Sequence, residues 1–140
     1  MAETRLAQTW ETGFRAHPLE FTVTPELNQQ YLYAQEDFSE LYLGDDALVH
    51  PSVLLNMSNT TRSPSHSLDS RSGNIHARDE CEFFRPARVG DPLKVEWTVL
   101  EWYERRERPF RVTEALVSDS EGRPVLRRLI HTTWTTGGDK

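Results

Sequence analysis

From Gly73 onward the chain alternates apolar and polar residues almost without a break. Ile75, Ala77, Cys81 and Phe83 are followed by Leu93, Val95, Trp97 and Val99, then Phe110 and Val112, then Val125 and Leu129. A period of two puts each set on one face of an extended segment, so four antiparallel strands are predicted. The interruptions at 86–92, 105–109 and 118–122 are rich in proline, glycine and polar turn formers, which suits them to tight connections. Upstream, 20–24 reads as one more short strand, with Phe21 and Val23 on the same face.

Between the first strand and Gly73 the period lengthens. Thr24 followed by Pro25 is a helix start, a capping residue and then a proline whose fixed φ suits the first helical position. Leu27, Tyr31 and Ala34 recur at helical spacing, which carries that helix to about Asp37. Pro51 announces a second helix, in which Val53, Leu54, Leu55 and Met57 supply nearly continuous apolar surface. A helix apolar on so much of its circumference is predicted to be buried. Residues 62–73, dominated by serine and arginine, have no apolar period and read as a mobile polar loop.

A buried helix followed by a long antiparallel meander is an α+β arrangement in which a sheet wraps the helix. It is the order of elements in a hot-dog fold, although order alone also fits other α+β folds. The 140 residues suit a single domain, divided here into an N-terminal extension (1–18), the domain itself (19–136) and a short tail (137–140).

A formal charge of −6 argues against nucleic acid, whose phosphates need a concentrated basic surface. No apolar run approaches the roughly 20 residues of a bilayer span, and the first residues lack the basic-then-apolar order of a signal peptide. A cytoplasmic protein is therefore expected, with no membrane partner. Cys81 is the single cysteine, so neither an internal disulfide nor a cysteine cluster is available, and it is expected to pack as a small apolar strand residue. Arg105, Arg106, Arg108, Arg111, Arg123, Arg127 and Arg128 crowd the second half. They are either solvated strand faces and turns or contacts to the phosphates of a nucleotide-bearing carrier.

Three landmarks resemble one family. The stretch IHARDECEFFRPARVGDPLKVEWTVLEWYERRERPF looks like the central strands of MaoC-like hydratases, where a strand ends in proline, a Gly-Asp turn follows and a long strand leads on; here these are Pro86, Gly90 and Asp91. YAQEDFSELY resembles the catalytic loop of R-specific enoyl-CoA hydratases, in which an aspartate precedes a histidine by five residues, as in D-F-N-P-L-H. HPSVLLNMS is similar to the start of the hot-dog helix, written H-G-M-L in those enzymes. The resemblance covers about Phe21 to Trp134 and implies a hot-dog domain that holds an acyl thioester of coenzyme A or acyl-carrier protein. It also implies a dimer, either a homodimer or a heterodimer with another hot-dog subunit, which would cover the open sheet edges.

Two positions depart from that pattern. Asp37 matches the catalytic aspartate, but Tyr42 stands where the histidine belongs. Pro51 replaces the helix-start glycine, whose N–H in the family points at the thioester oxygen, and proline has no N–H. Hydration of an enoyl thioester needs a base for water, an acid for the α-carbon and donors for the oxygen that becomes enolate-like. Asp37 is the candidate base, and Tyr42, with an ordinary pKa of about 10, is suited to donating or orienting. His50, just before the buried helix, is either the second catalytic group or a capping and packing residue. The Ser52 N–H is a candidate for the role Pro51 cannot fill, and Asn56 either reaches the same pocket or contacts strand backbone. His76 reads as a sheet residue, and His66 and His17 have no partner in sequence.

Nothing in the spacing of His, Cys, Asp and Glu suggests a metal. There is no nucleophile elbow, phosphate loop or dinucleotide fingerprint, so no cofactor beyond the carrier thioester is expected. Three functions remain: a hydratase or dehydratase of enoyl or 3-hydroxyacyl thioesters, a catalytically silent hot-dog subunit paired with an active one, and a hot-dog thioesterase.

Overall fold

The alternation becomes one sheet. The structure is a computed structural model that describes residues 4–68 and 71–135. Its strands are β1 (Arg5–Leu6), β2 (Arg15–Thr22), β3 (His66–Ser67), β4 (Asn74–Phe83), β5 (Pro92–Arg105), β6 (Arg108–Asp119) and β7 (Pro124–Trp134); its helices are α1 (Pro25–Gln35) and α2 (Pro51–Met57). Five strands form an antiparallel sheet in the order β2-β5-β6-β7-β4, while β1 and β3 make a short parallel pair.

Leu93, Val95, Trp97 and Val99 of β5, Ala115 and Val117 of β6, and Leu126 and Ile130 of β7 are buried together with Val53 and Leu54 of α2. The sheet therefore wraps α2, as the apolar run of that helix predicts. A helix of 7 residues is too short to persist alone, and its ends are secured from outside. At its C-terminal end the Trp97 indole donates to the Ser58 carbonyl at 2.8 Å. Arg128 reaches across from β7 to the Leu55 carbonyl at 2.6 Å, Ser58 Oγ at 2.8 Å and Asn59 Oδ1 at 3.1 Å. Carbonyls that a helix terminus would leave without partners are thus met by the sheet.

Several expectations need correction. Residues 1–18 are not an appendage in their described part: Ala7 and Trp10 are fully buried, Ala16 nearly so, and β2 begins at Arg15 rather than near residue 20. The domain therefore starts earlier than 19; residues 136–140, which include the expected tail, lie outside the described residues. Helix α1 is capped by Thr24, whose Oγ1 accepts from Leu27 N at 3.1 Å, but stops at Gln35 because Glu36 turns left-handed at φ 53°. Its buried face carries Asn28 and Leu32 rather than Ala34, which is exposed.

In β7 the expected Val125 is buried in the core, but Leu129 is only half-buried, and Leu126, Arg128 and Ile130 are buried instead. The strand hides residues on both faces, so alternation is blurred. The loop at 62–73 is bonded to the body in its first half: Ser63 and Ser65 are buried, Ser63 Oγ donates to the His17 carbonyl at 2.8 Å, and Ser65 Oγ accepts from His17 N at 2.9 Å. Residues 69 and 70 of that loop lie outside the described residues. Cys81 is exposed on edge strand β4 and donates to Asp79 Oδ1 at 3.3 Å.

The arginines also divide. Arg111 and Arg128 are buried, Arg123 pairs with Asp119 at 2.9 Å and Arg127 with Glu114 at 2.6 Å. Arg105, Arg106 and Arg108 stay exposed at the β5–β6 hairpin. Among the described residues no helix is long and apolar enough to cross a membrane.

Arg128 is 3% exposed, and its guanidinium also pairs with the Asp79 carboxylate. Burial works to raise the Asp79 carboxyl, but the Arg128 hydrogen bond and charge, helped by Cys81 and His76, outweigh it and hold the group below its ordinary value. A folded-state value below the unfolded one makes stability from this carboxylate complete above about pH 4 and drains it as pH falls through the folded value. Arg128→Ala is expected to cost about 3–5 kcal/mol in chemical denaturation, the range for removing one member of a buried pair. The Asp79 share of the acid-limb loss should vanish in that variant; an unchanged acid profile would show that the pair does not carry it.

Candidate functional site

The loop between the helices brings together groups that lie far apart in sequence. After Glu36 the chain turns through a short 3-10 segment, Glu40–Tyr42, capped by Ser39, and returns to α2 at Val49 and His50. Asn28, 2% exposed on α1, fixes that return: its Oδ1 accepts from His50 N at 2.9 Å and its Nδ2 donates to the Leu48 carbonyl at 3.1 Å.

His50 is the N-cap of α2. Its Nδ1 accepts from Ser52 N at 3.2 Å and lies 2.7 Å from Ser52 Oγ, while its Nε2 lies 3.1 Å from Asp37 Oδ2. A backbone N–H can only donate, so Nδ1 serves as acceptor and the neutral ring carries its proton on Nε2, directed at Asp37. The other carboxylate oxygen, Oδ1, accepts from Ser39 N at 3.2 Å. The His50 side chain is 12% exposed and that of Asp37 36%, so the imidazole lies behind the carboxylate.

Tyr42 packs its ring against His50, centroids 4.9 Å apart, and its hydroxyl makes no hydrogen bond among the described residues. With Pro51, Leu54, Phe83, Phe84 and Ala87 it lines a largely apolar groove of about 360 Å³ between the start of α2 and the end of β4. Asp37, Tyr42, His50, Pro51 and Ser52 thus gather at one place. Asn56 does not join them, because its Oδ1 takes the Arg62 guanidinium.

The start of α2 has few donors left for a ligand. Pro51 has no N–H, Ser52 N is engaged by His50 Nδ1, and Val53 N donates to the His50 carbonyl at 3.0 Å. On the groove wall the Tyr42 hydroxyl is a donor without a partner among the described residues, and Arg85, bonded only through Nε to the Pro124 carbonyl at 3.1 Å, adds its guanidinium. His76 is exposed on β4 and paired with Asp79 at 3.1 Å, and His66 is packed against Trp10. His131, which sequence patterning does not single out, is buried between the Tyr103 hydroxyl at 2.9 Å and Glu80 at 3.2 Å on the other sheet face. Among the described residues no three His, Cys, Asp or Glu side chains group as metal ligands.

Two roles escaped sequence reasoning, those of Asn28 and Ser39. Asn28 carries a faint signal, a polar residue one helical turn before Leu32 on the face that turns inward. Ser39 meets Asp37 through its backbone N–H, which no residue type signals, while its side chain caps the 3-10 segment.

No family model matches the sequence, and no curated protein does either. Solved structures do match over nearly the whole chain. The (R)-hydratase of A. caviae involved in PHA biosynthesis superposes with a TM-score of 0.68 at 19% identity, covering 90% of this chain and 98% of its own. A MaoC-like dehydratase from Rhodospirillum rubrum gives 0.67 at 18%, covering 91% and 94%. A hot-dog-like protein from Thermanaerovibrio acidaminovorans gives 0.65 at 15%, covering 94% and 87%. The chain has the hot-dog fold. At such identities the likeness extends to the fold shared by MaoC-like dehydratases and R-hydratases, and function rests on the site.

The His50 hydrogen bonds make a spectroscopic prediction. In ¹⁵N-resolved NMR near neutral pH, His50 should show a protonated Nε2 and an unprotonated Nδ1. The opposite tautomer would mean that the His50 ring does not cap the helix by accepting from Ser52 N.

Proposed function

We propose that the chain is a hydro-lyase of enoyl and 3-hydroxyacyl thioesters, carried on coenzyme A or acyl-carrier protein, with no other cofactor. The observation that carries this reading is the contact of 3.1 Å between Asp37 and His50, 13 residues apart in sequence, beside a largely apolar groove of about 360 Å³. Structural neighbours that are an R-hydratase and a MaoC-like dehydratase support the reaction class.

In the hydration direction Asp37 takes a proton from water as the oxygen adds to the β-carbon, and the double-bond electrons move onto the thioester oxygen. The α-carbon then takes a proton back from the Asp37 carboxyl. His50, whose Nε2–H is bonded to Oδ2, orients the carboxylate. Tyr42 donates its hydroxyl to the developing oxyanion in place of the missing helix N–H.

A second reading has its own observation: with Pro51 lacking an N–H and Ser52 N already engaged, this helix start offers the thioester oxygen little. A subunit that has lost its oxyanion donors is suited to shaping the acyl groove for an active partner. Phe83 and Phe84, 48% and 42% exposed at the end of edge strand β4, would then meet a second hot-dog subunit, or a second copy of this chain. Two structural neighbours are complexes by name, the C-terminally truncated HadBC dehydratase complex and the ChsH1–ChsH2 complex, both from Mycobacterium tuberculosis.

Purified protein assayed with short and medium enoyl-CoA substrates, following loss of the conjugated double bond, distinguishes the readings. For an enzyme, Asp37→Asn should lower kcat by about 10²–10⁴ with the fold intact, and Tyr42→Phe by about 10²–10³ if the hydroxyl binds the oxyanion. A wild-type chain inactive on every enoyl thioester, yet able to pair with an active hot-dog subunit, would overturn the hydro-lyase reading in favour of the silent subunit.

A further inference from the structure

Five buried side-chain atoms lack a hydrogen-bond partner among the described residues: Gln8 Oε1, Trp10 Nε1, His66 Nε2, Arg111 Nη2 and Trp134 Nε1. Buried polar groups are seldom left so, and these belong to one neighbourhood. The Arg111 guanidinium carbon sits 4.6 Å from the Trp10 ring centroid and 5.0 Å from that of Trp134. His66 meets Trp10 edge-on with centroids 5.9 Å apart, and Gln8 and Trp134 share the wall of a cavity of about 420 Å³. None of these residues lines the groove beside α2.

Arg111 is fully buried, as is Trp10. Its Nε donates to Thr113 Oγ1 at 2.8 Å and its Nη1 to the Ala7 carbonyl at 2.5 Å, both neutral acceptors, and among the described residues no carboxylate pairs with it. Burial pushes the guanidinium down to about 10, and His66 is lowered by its own burial and then by the Arg111 charge. Two tryptophan faces offset part of the cost of a buried cation, but a charge without a counter-ion remains expensive. The unpaired atoms are chiefly donors: indole N–H groups only donate, and so does guanidinium. Arg106 and Arg108 add positive charge on the cavity wall, beside a single acidic neighbour, Glu107.

We propose that Trp10, Arg111 and Trp134 hold a small monovalent anion, a halide or a carboxylate group, between the N-terminal segment and the inner face of the sheet. Water would satisfy the donors and leave the charge uncompensated; an anion does both. The site fixes the segment around Ala7 and Trp10 to the sheet, and its occupancy sets the stability of the domain rather than the chemistry at Asp37.

Of the 4 tryptophans, Trp97 donates to the Ser58 carbonyl away from this neighbourhood and supplies an internal control, whereas Trp102 stacks on Trp134 and donates to the Trp10 carbonyl. The full chain is titrated with sodium chloride, and separately with sodium formate, at constant ionic strength maintained with sodium sulfate. The Trp10 and Trp134 indole N–H resonances should shift and saturate while that of Trp97 changes little. Above the dissociation constant, Tm should rise by about 4 °C per tenfold increase in anion. A response to both salts indicates a halide-sized site, and a response to formate alone a carboxylate site. Arg111→Met, which keeps the stem and removes the charge, should abolish the response. If that variant does not fold, the wild-type titration decides by itself. Indole resonances that move together or not at all, with a Tm equal to that in sulfate alone, would assign the space to water and overturn the proposal.

Discussion

A helix of 7 residues cannot supply its own stability, and everything near the candidate site follows from how α2 is held. Its N-terminus is closed by a side chain, His50, because Pro51 contributes no N–H and the next donor, Ser52 N, needs an acceptor. Its C-terminus is closed by donors from the sheet, Trp97 and Arg128. The imidazole that caps the helix is the same one that bonds Asp37, so the geometry of the carboxylate is inherited from the packing of the core.

That dependence runs backwards along the chain as well. His50 is placed by Asn28, whose amide spans α1 and the strand-like return into α2. A short polar side chain that is 2% exposed and bonded through both its oxygen and its nitrogen acts as a fixed strut, since leaving either atom unpaired in the interior would cost about 1–3 kcal/mol. At the other end, Arg128 joins α2 to Asp79 on β4, so the edge strand that carries Phe83 toward the groove is fastened to the helix that forms its opposite wall.

The parts of this arrangement that local pattern encodes were legible in the sequence. Thr24–Pro25 and Pro51 mark helix starts by fixed backbone preference, and strict alternation marks β5, where one face is buried and the other solvated. Alternation failed in β7 because that strand is buried on both faces, and in the arginines because burial depends on partners far off in sequence. Arg128 finds Asp79 at a separation of 49 residues, and Arg111 finds Ala7 at 104. The residues around the site were named from sequence, but the pairing of Asp37 with His50, rather than with Tyr42, is created by a loop whose path no local period records.

Tyr42 and Pro51, the two positions that depart from the resembled pattern, are connected through this geometry. A proline at the first helical position presets the backbone for the helix but moves the first N–H to Ser52. Once His50 Nδ1 accepts that N–H, the ring has one proton to offer, on Nε2, and Asp37 accepts it. A ring committed in this way holds the Asp37 carboxylate in place through Oδ2, and in the hydro-lyase reading proposed above proton exchange with a substrate falls to Asp37 itself. The hydroxyl of Tyr42, lying against the same ring and without a partner among the described residues, remains a donor on the groove wall.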